Sequence, residues 1–299
     1  MKTTVSLVLG SGGARGYSHI GVIEELNRRG YEIVCIAGSS MGALIGGIYA
    51  AGRLEEYRDW VISLKRIDVF KLMDLTLRGE GTIRGDRLLL KLREIVGNPL
   101  IEELPITYTA VATDLTHQKE VWFQKGSMLD AIRASIAVPG FFTPVIEEGR
   151  LLVDGGVLNP IPIIPTVAAH ADLIVAVDLN ADVQRNQTTL PITHYLERSG
   201  FSDEWEYTPD AQKQALNHRG QVKTVSPKAI SRFDVLFNSV EVMQASLGKY
   251  KVAGYPPDQL IGIPKNACRF YEFHRAKEMI ELGRLMAQES LIKMEKKWC

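Results

Sequence analysis

The sequence has no excess charge of either sign, no paired cysteines and no long hydrophobic run. Lysine and arginine together number 35, and so do aspartate and glutamate. Because nucleic-acid binding needs a concentrated positive face, this balance argues against nucleic acid as a partner. The three cysteines are scattered and form no Cys-x-x-Cys pair, which argues against a disulfide framework or a zinc site and favours a reducing compartment.

The hydrophobic runs are all too short for a membrane span, which needs roughly 20 apolar residues. We therefore expect a cytoplasmic protein. A peripheral contact with a membrane surface stays open, because such docking can rest on a small local patch.

The apolar residues that are present suffice for a large packed core, since 45% of the 299 residues are hydrophobic. Residues 5–9 and 32–37 predict two buried strands, and each is followed by a helical pattern. Strand, helix, strand, helix within the first fifty residues indicates a parallel sheet covered by helices. Residues 106–112 and 120–123 alternate like paired strands, and residues 173–177 predict a further central strand.

No internal repeat and no composition shift marks a domain boundary. We expect one domain over residues 1–299, with its core motifs at about residues 5–180. A polar, mobile segment is expected over about residues 181–227, either as a long loop or as a lid over a pocket. A helical part over about residues 228–299 completes the chain.

The first chemical motif is Gly38-Ser39-Ser40-Met41-Gly42, a Gly-x-Ser-x-Gly match. It lies where a predicted strand passes into a predicted helix, and this sharp turn lifts a serine hydroxyl above the sheet. The glycines Gly38 and Gly42 allow close backbone approach, and the helix N-terminus favours an anionic intermediate. Ser40 is thus a candidate nucleophile, and the alternative is an ordinary N-cap serine at a tight turn.

The second motif is Gly10-Ser11-Gly12-Gly13-Ala14-Arg15-Gly16, again between a strand and a helix. A dinucleotide-binding loop would need glycine where Arg15 stands, and no Gly-Lys-Ser/Thr follows, so a Walker-type loop also fails. An oxyanion hole built from the amides of Gly12 and Gly13 is one interpretation, and a plain turn is the other. Adjacent parallel strands would bring both glycine turns to the same edge of the sheet.

A serine nucleophile also needs a base. None of the six histidines has a convincing setting. His170 follows Asp154 in the Ser…Asp…His order of a triad, but it lies in a helical alanine-rich run. Asp154 itself follows a predicted strand and precedes Gly155-Gly156, which is typical of either a structural turn or a close approach at a site.

Together the motifs resemble the patatin-like phospholipase family, in particular short bacterial members of the neuropathy-target-esterase group. The resemblance is carried, in this order, by Gly12-Gly13-Ala14-Arg15-Gly16, Gly38-Ser39-Ser40-Met41-Gly42, Ala112-Thr113-Asp114-Leu115, Ala134-Ser135-Ile136-Ala137-Val138-Pro139, Phe142-x-Pro144-Val145 and Asp154-Gly155-Gly156. It covers about residues 5–180 well and the C-terminal part more loosely. Thr116-His117-Gln118 stand where relatives often have a glycine turn.

The resemblance implies a three-layer α/β/α fold with a mostly parallel central sheet and a Ser-Asp dyad without histidine. Ser40 would be the nucleophile and Asp154 the general base. Gly12 and Gly13 would form the oxyanion hole, and Arg15 would brace their loop. Gly38, Gly42, Gly155 and Gly156 would support the turns.

The implied reaction is hydrolysis of a fatty-acyl ester or phospholipid, with no metal or cofactor. Residues 69–73 and 88–90 are candidates for an acyl pocket. Met279, Ile280, Met286 and Ile292 of the C-terminal helix are candidates for membrane contact, although core packing would explain both sets. Two other functions stay open: a catalytically silent lipid- or protein-binding regulator, and a Ser-His-Asp esterase that uses His170.

Overall fold

A computed structural model describes residues 2–72, 85–182 and 232–298. Eight strands form one sheet: β1 Thr4–Leu9, β2 Glu32–Ser39, β3 Thr107–Asp114, β4 Lys119–Phe123, β5 Val145–Glu147, β6 Arg150–Asp154, β7 Leu173–Ala181 and β8 Gln259–Pro264. The helices of the described ranges are α1 Ser18–Arg28, α2 Met41–Ala50, α3 Leu54–Ser63, α4 Arg66–Leu72, α5 Asp86–Val96, α6 Met128–Ser135, α7 Arg232–Gly254 and α8 Ala276–Trp298.

The sheet order is β5-β6-β3-β2-β1-β7-β8, with β4 also paired to β3. The pairs among β3, β2, β1, β7 and β8 are parallel, and those that involve β4, β5 and β6 are antiparallel. The predicted α/β fold with a mostly parallel central sheet is therefore confirmed.

Both faces of the sheet are covered, as the alternation along β1 illustrates. Leu7 and Leu9 belong to the main core with α1, α2 and α8, whereas Val8 packs on the other side with Ile161 and Val252 of α7. Successive side chains of a strand point to opposite faces, so the continuous apolar run of β1 is what a strand buried on both sides requires.

Strand β3 has three partners because two of them share one of its edges. β4 pairs with residues 110–114, β2 with residues 107–111 and β6 with residues 112–114. The β4 stretch overlaps both of the others, so β2 and β6 lie one after the other along the opposite edge. Since β6 is antiparallel to β3, the C-terminal ends of β2 and β6 meet at the neighbouring residues Val111 and Ala112.

The sequence patterns predicted most of these elements. The β5 strand was not predicted, because three residues with little burial carry no clear pattern, and β7 runs four residues beyond the predicted end. At the β3–β4 turn, Gln118 adopts a φ of 54°, where glycine is favoured, and the Asp114 carboxylate accepts hydrogen bonds from the Thr116 and His117 amides. The predicted polar segment lies outside the described residues apart from Ala181 and Asp182.

The suggestion that the C-terminal helix touches a membrane is wrong for three of its four residues. Met279, Ile280 and Met286 are buried in the core that α8 shares with α1, and only Ile292 is partly exposed. Among the described helices, none combines the length and the apolar character that crossing a bilayer requires.

Gly155 lies where β2, β3 and β6 meet, and it has no room for a side chain. A Cβ there would overlap Val111 O and would reach to 3.0 Å from Ser39 Oγ. We therefore expect Gly155→Ala to lower the free energy of unfolding by about 2–4 kcal/mol in urea denaturation. Gly254→Ala, at the open end of α7, is the matched control and should change it by no more than about 1 kcal/mol. Equal effects of the two would contradict this packing.

Candidate active site

Ser40 occupies the turn between β2 and α2 in a strained backbone conformation. Its φ of 56° and ψ of −124° are unfavourable for a residue with a side chain and cost about 1–3 kcal/mol. The turn is held by Ser135: the Ser40 amide donates to Ser135 Oγ at 2.9 Å, and that hydroxyl donates to Val111 O at 2.6 Å. Helix α2 begins at the next residue, so its positive end lies at Ser40.

The glycines of this turn permit its tight packing. A Cβ on Gly42 would overlap Leu9 O at the end of β1, and one on Gly38 would overlap the Gly42 backbone. The turn after β2 is thus pressed against the end of β1, where the second glycine loop begins.

Asp154 ends β6 and is 1% exposed, and Ser40 is 3% exposed. The Asp154 amide donates to Ala137 O at 3.0 Å, and Oδ1 accepts from the Gly156 amide at 2.7 Å. Oδ2 has no well-formed hydrogen bond to any described residue, although the carboxylate interacts with the Ser40 side chain. Catalytic hydrogen bonds are often long or poorly aligned when no substrate is bound.

The pKa of Asp154 is raised from 3.8 to about 7, because burial disfavours the charged carboxylate. The Ser40 side chain and the Gly156 amide oppose this rise without cancelling it. A carboxylate with this pKa is a far stronger base than an exposed aspartate.

The loop Gly10–Gly16 lies against the same end of the sheet. The Ser11 amide donates to Pro160 O and the Ala14 amide to Phe270 O, whereas no acceptor for the Gly12 and Gly13 amides is found in the described part of the chain. Gly13 has a φ of 56° and lines the same pocket as Ser40. These two amides can therefore receive an anionic oxygen.

Behind this loop, His19 Nε2 lies 2.8 Å from Gly10 O, so this nitrogen carries the proton that it donates to the carbonyl. Burial lowers the pKa of His19 to about 4, which keeps the ring neutral.

Arg15 braces the loop with all five donors of its guanidinium. Its partners at 2.7–3.1 Å are Leu179 O, Lys265 O, Cys268 O, Asn180 Oδ1 and Glu241 Oε1. The side chain is buried and does not line the pocket beside Ser40. Arg15 therefore fixes the position of the loop and does not face the pocket.

Helix α7 also reaches the serine turn through a chain of hydrogen bonds. Lys251 pairs with Glu120 at 2.7 Å, and Glu120 accepts from Asn159 Nδ2 at 2.8 Å. The Asn159 carbonyl in turn accepts from Ser39 Oγ at 2.6 Å. On the same helix, Gln244 lies so close to Gly156 that a Cβ there would press on its amide. Helix α7 thus supports the turns of both Ser40 and Asp154.

A pocket of about 730 Å³, including space continuous with solvent at its mouth, opens beside Ser40. Among the described residues that line it, none carries a charged side chain. Apart from Ser40 its hydroxyls belong to Tyr17 and Tyr57, which interact with each other. The rest of the lining is aromatic or aliphatic apart from Gly13, and comprises Met41, Leu44, Trp60, Leu64, Val69, Leu72, Leu88, Ile136, Val138, Phe141, Phe142, Phe270 and Phe273. Val69, Leu72 and Leu88 come from the two segments named as candidates for an acyl pocket.

The structure does not bring His170 to this site. His170 is exposed and precedes β7, close to Asp172, whose carboxylate accepts from the Thr4 amide at the start of β1. Ser40 follows the C-terminal end of β2, at the opposite end of the parallel strands. His194 and His218 lie outside the described residues, and no described histidine lines the pocket.

Sequence reasoning missed the supporting residues Ser135, Asn159 and Glu241. Ser135 lies within one of the motifs that carry the family resemblance, which was its only signal. Asn159 and Glu241 act through partners 120 and 226 positions away in the chain. No local pattern reports such contacts.

A family model described as patatin-like phospholipase matches residues 7–167. An uncharacterised NTE family protein of Mycobacterium tuberculosis is 40% identical over 96% of this chain and 91% of its own length. The chain belongs to the patatin-like phospholipase family, as the sequence motifs predicted. Family membership supports a lipid hydrolase.

Two longer relatives match a smaller part of the chain. Human patatin-like phospholipase domain-containing protein 6 is 31% identical over 62% of this chain and 14% of its own length. Lysophospholipase NTE1 of Yarrowia lipolytica is 32% identical over 59% of this chain and 13% of its own length.

The raised pKa of Asp154 predicts a pH-dependent cost to folding. Between about pH 4 and pH 7, Asp154 is ionised in the unfolded chain but protonated in the folded protein. The free energy of unfolding of the wild type therefore falls as the pH rises through this range, and above about pH 7 it levels off. Asp154→Asn removes this loss, so its free energy of unfolding should exceed that of wild type by up to about 4 kcal/mol above pH 7, with little difference below about pH 4. Urea denaturation across this range measures the difference.

Asp172→Asn is the matched control with the opposite sign. Hydrogen bonds from Thr4 lower the pKa of Asp172, so this carboxylate stabilises the fold above its unfolded pKa. Removing this carboxylate should lower the free energy of unfolding at neutral pH. A destabilised Asp154→Asn at pH 8 would contradict the assigned environment of Asp154.

Proposed function

We propose that the protein is a serine acyl hydrolase for lipid esters, with Ser40 as nucleophile and Asp154 as general base. The observation that carries the proposal is a buried carboxylate with a raised pKa against the side chain of a strained serine, at the wall of an apolar pocket. The family membership is consistent with this chemistry, and the lysophospholipase relative adds support for a fatty-acyl substrate.

In the first half-reaction Asp154 accepts the Ser40 proton while Ser40 Oγ attacks the ester carbonyl carbon. The carbonyl oxygen becomes an anion, for which the Gly12 and Gly13 amides and the positive end of α2 are the proposed donors. As the carbon–oxygen bond to the alcohol breaks, the protonated Asp154 gives its proton to the leaving oxygen, and an acyl-Ser40 ester remains.

In the second half-reaction water attacks the acyl-Ser40 carbonyl and Asp154 accepts its proton. The Ser40 ester bond breaks, the fatty acid leaves and Asp154 returns the proton to Ser40 Oγ. Every proton in the cycle passes through one carboxyl group, so the reaction needs no histidine. The apolar side chains that line the described part of the pocket suit the acyl chain, and a polar head group would stay outside it.

Removing either member of the dyad should abolish hydrolysis of soluble acyl esters. We expect Ser40→Ala and Asp154→Asn to lower kcat/KM by at least about 10³-fold, because nucleophile and base act as a unit. Ser40→Ala should also lose labelling by a fluorophosphonate probe. His170→Ala is the control and should retain wild-type kinetics. A loss of activity in this variant would favour the Ser-His-Asp alternative, and a wild type that neither labels nor turns over any ester would remove the enzymatic proposal.

The pH dependence gives an independent test of the base. Asp154 accepts a proton only as the carboxylate, so kcat/KM should rise with pH and level off above its pKa of about 7. Initial rates on a soluble ester from about pH 4 to pH 9 would measure this limb. A plateau already reached at pH 5 would mean that Asp154 titrates like an exposed aspartate and would contradict the role of burial.

A further inference from the structure

The segment that joins α3 to α4, together with α4 itself, presents two different faces. Leu64, Val69 and Leu72 line the pocket beside Ser40. On the other side Ile67 and Phe70 are 56% and 59% exposed. These two residues are three positions apart on a helix, so their side chains lie on one face.

Single exposed apolar side chains are common on protein surfaces, so only their surroundings can indicate a binding role. Here three exposed cations flank the pair, namely Lys65, Arg66 and Lys71. None of them forms an ion pair with a described residue, although Arg66 donates to the His274 ring. The only acid in this stretch is Asp68, and its carboxylate already accepts from the Lys65 amide at 3.0 Å.

The stretch 65–71 therefore carries three positive charges and one negative charge in a chain whose formal net charge is zero. Not every exposed apolar residue has this setting. Ile146 on β5, for example, is 79% exposed but is followed by Glu147 and Glu148. Apolar side chains between lysines and arginines are typical of elements that lie in the interface of an anionic bilayer.

We propose that the outer face of residues 65–71 docks on the surface of an anionic phospholipid bilayer. Ile67 and Phe70 would enter the boundary between head groups and acyl chains, and Lys65, Arg66 and Lys71 would contact the anionic head groups. Because the inner face of the same segment lines the pocket, docking would bring the pocket to the lipid. This last consequence rests on the proposed function, whereas the docking itself does not.

The test is co-sedimentation of the Ser40→Ala protein, which lacks the proposed nucleophile, with vesicles of two compositions. One is phosphatidylcholine alone, and the other contains equal parts of phosphatidylcholine and phosphatidylglycerol. We expect binding to the mixed vesicles only, with weakening by added salt. Lys65→Gln and Lys71→Gln should each weaken binding about fivefold, and Ile67→Ser with Phe70→Ser by at least about tenfold.

Ile146→Ser and Lys119→Gln are the matched controls. They change an exposed isoleucine and an exposed lysine on strands of the sheet, outside the segment 65–71, and both should bind as the parent does. In the Ser40-containing protein, Ile67→Ser with Phe70→Ser should leave hydrolysis of a soluble ester unchanged and slow hydrolysis of vesicle lipid. No binding to either vesicle, equal binding to both, or equal effects of test and control variants would overturn the docking proposal. A protein that binds the mixed vesicles but hydrolyses no ester would leave docking supported and overturn the proposed function.

Discussion

The site depends on one constraint of the sheet: β2 and β6 occupy the same edge of β3, one after the other. This arrangement joins a parallel strand and an antiparallel strand at their C-terminal ends. It brings Ser40 and Asp154 together although 114 positions separate them in the chain. The supporting contacts follow from it, since Val111 on β3 accepts a hydrogen bond from Ser135 and leaves no space for a Cβ on Gly155.

The same packing determines the pKa of Asp154. The end-to-end contact buries Asp154 with a single amide hydrogen bond to one of its oxygens, so its pKa rises toward neutrality. A more polar turn would give the carboxylate more donors and would return the pKa to that of an ordinary aspartate. The same packing also holds the strained backbone of Ser40. The hydrogen bond to Ser135 and the close contact of Gly42 with β1 stabilise a conformation that the isolated turn would not adopt.

Much of this could be predicted from local patterns. The apolar runs of β1 and β2, the glycine turns after them and the helices that follow are each encoded within about ten residues. Asp154 could be named as a candidate, but its contact with Ser40 depends on which strands share an edge of β3, and no single segment encodes that. The supports from α7 were not predictable, because Glu241 and Lys251 act through Arg15 and Glu120, far away in sequence.

The contacts of Arg15 show that the stretch matched by the family model is shorter than the stretch that holds the glycine loop in place. The family model ends at residue 167, yet all five hydrogen-bond partners of the Arg15 guanidinium lie beyond it, from Leu179 to Cys268. A chain cut at that boundary would keep every proposed catalytic residue but would lose all five acceptors through which Arg15 holds the glycine loop. The residues that identify the family are therefore too few to position the proposed oxyanion loop, which also needs the part of the chain beyond residue 167.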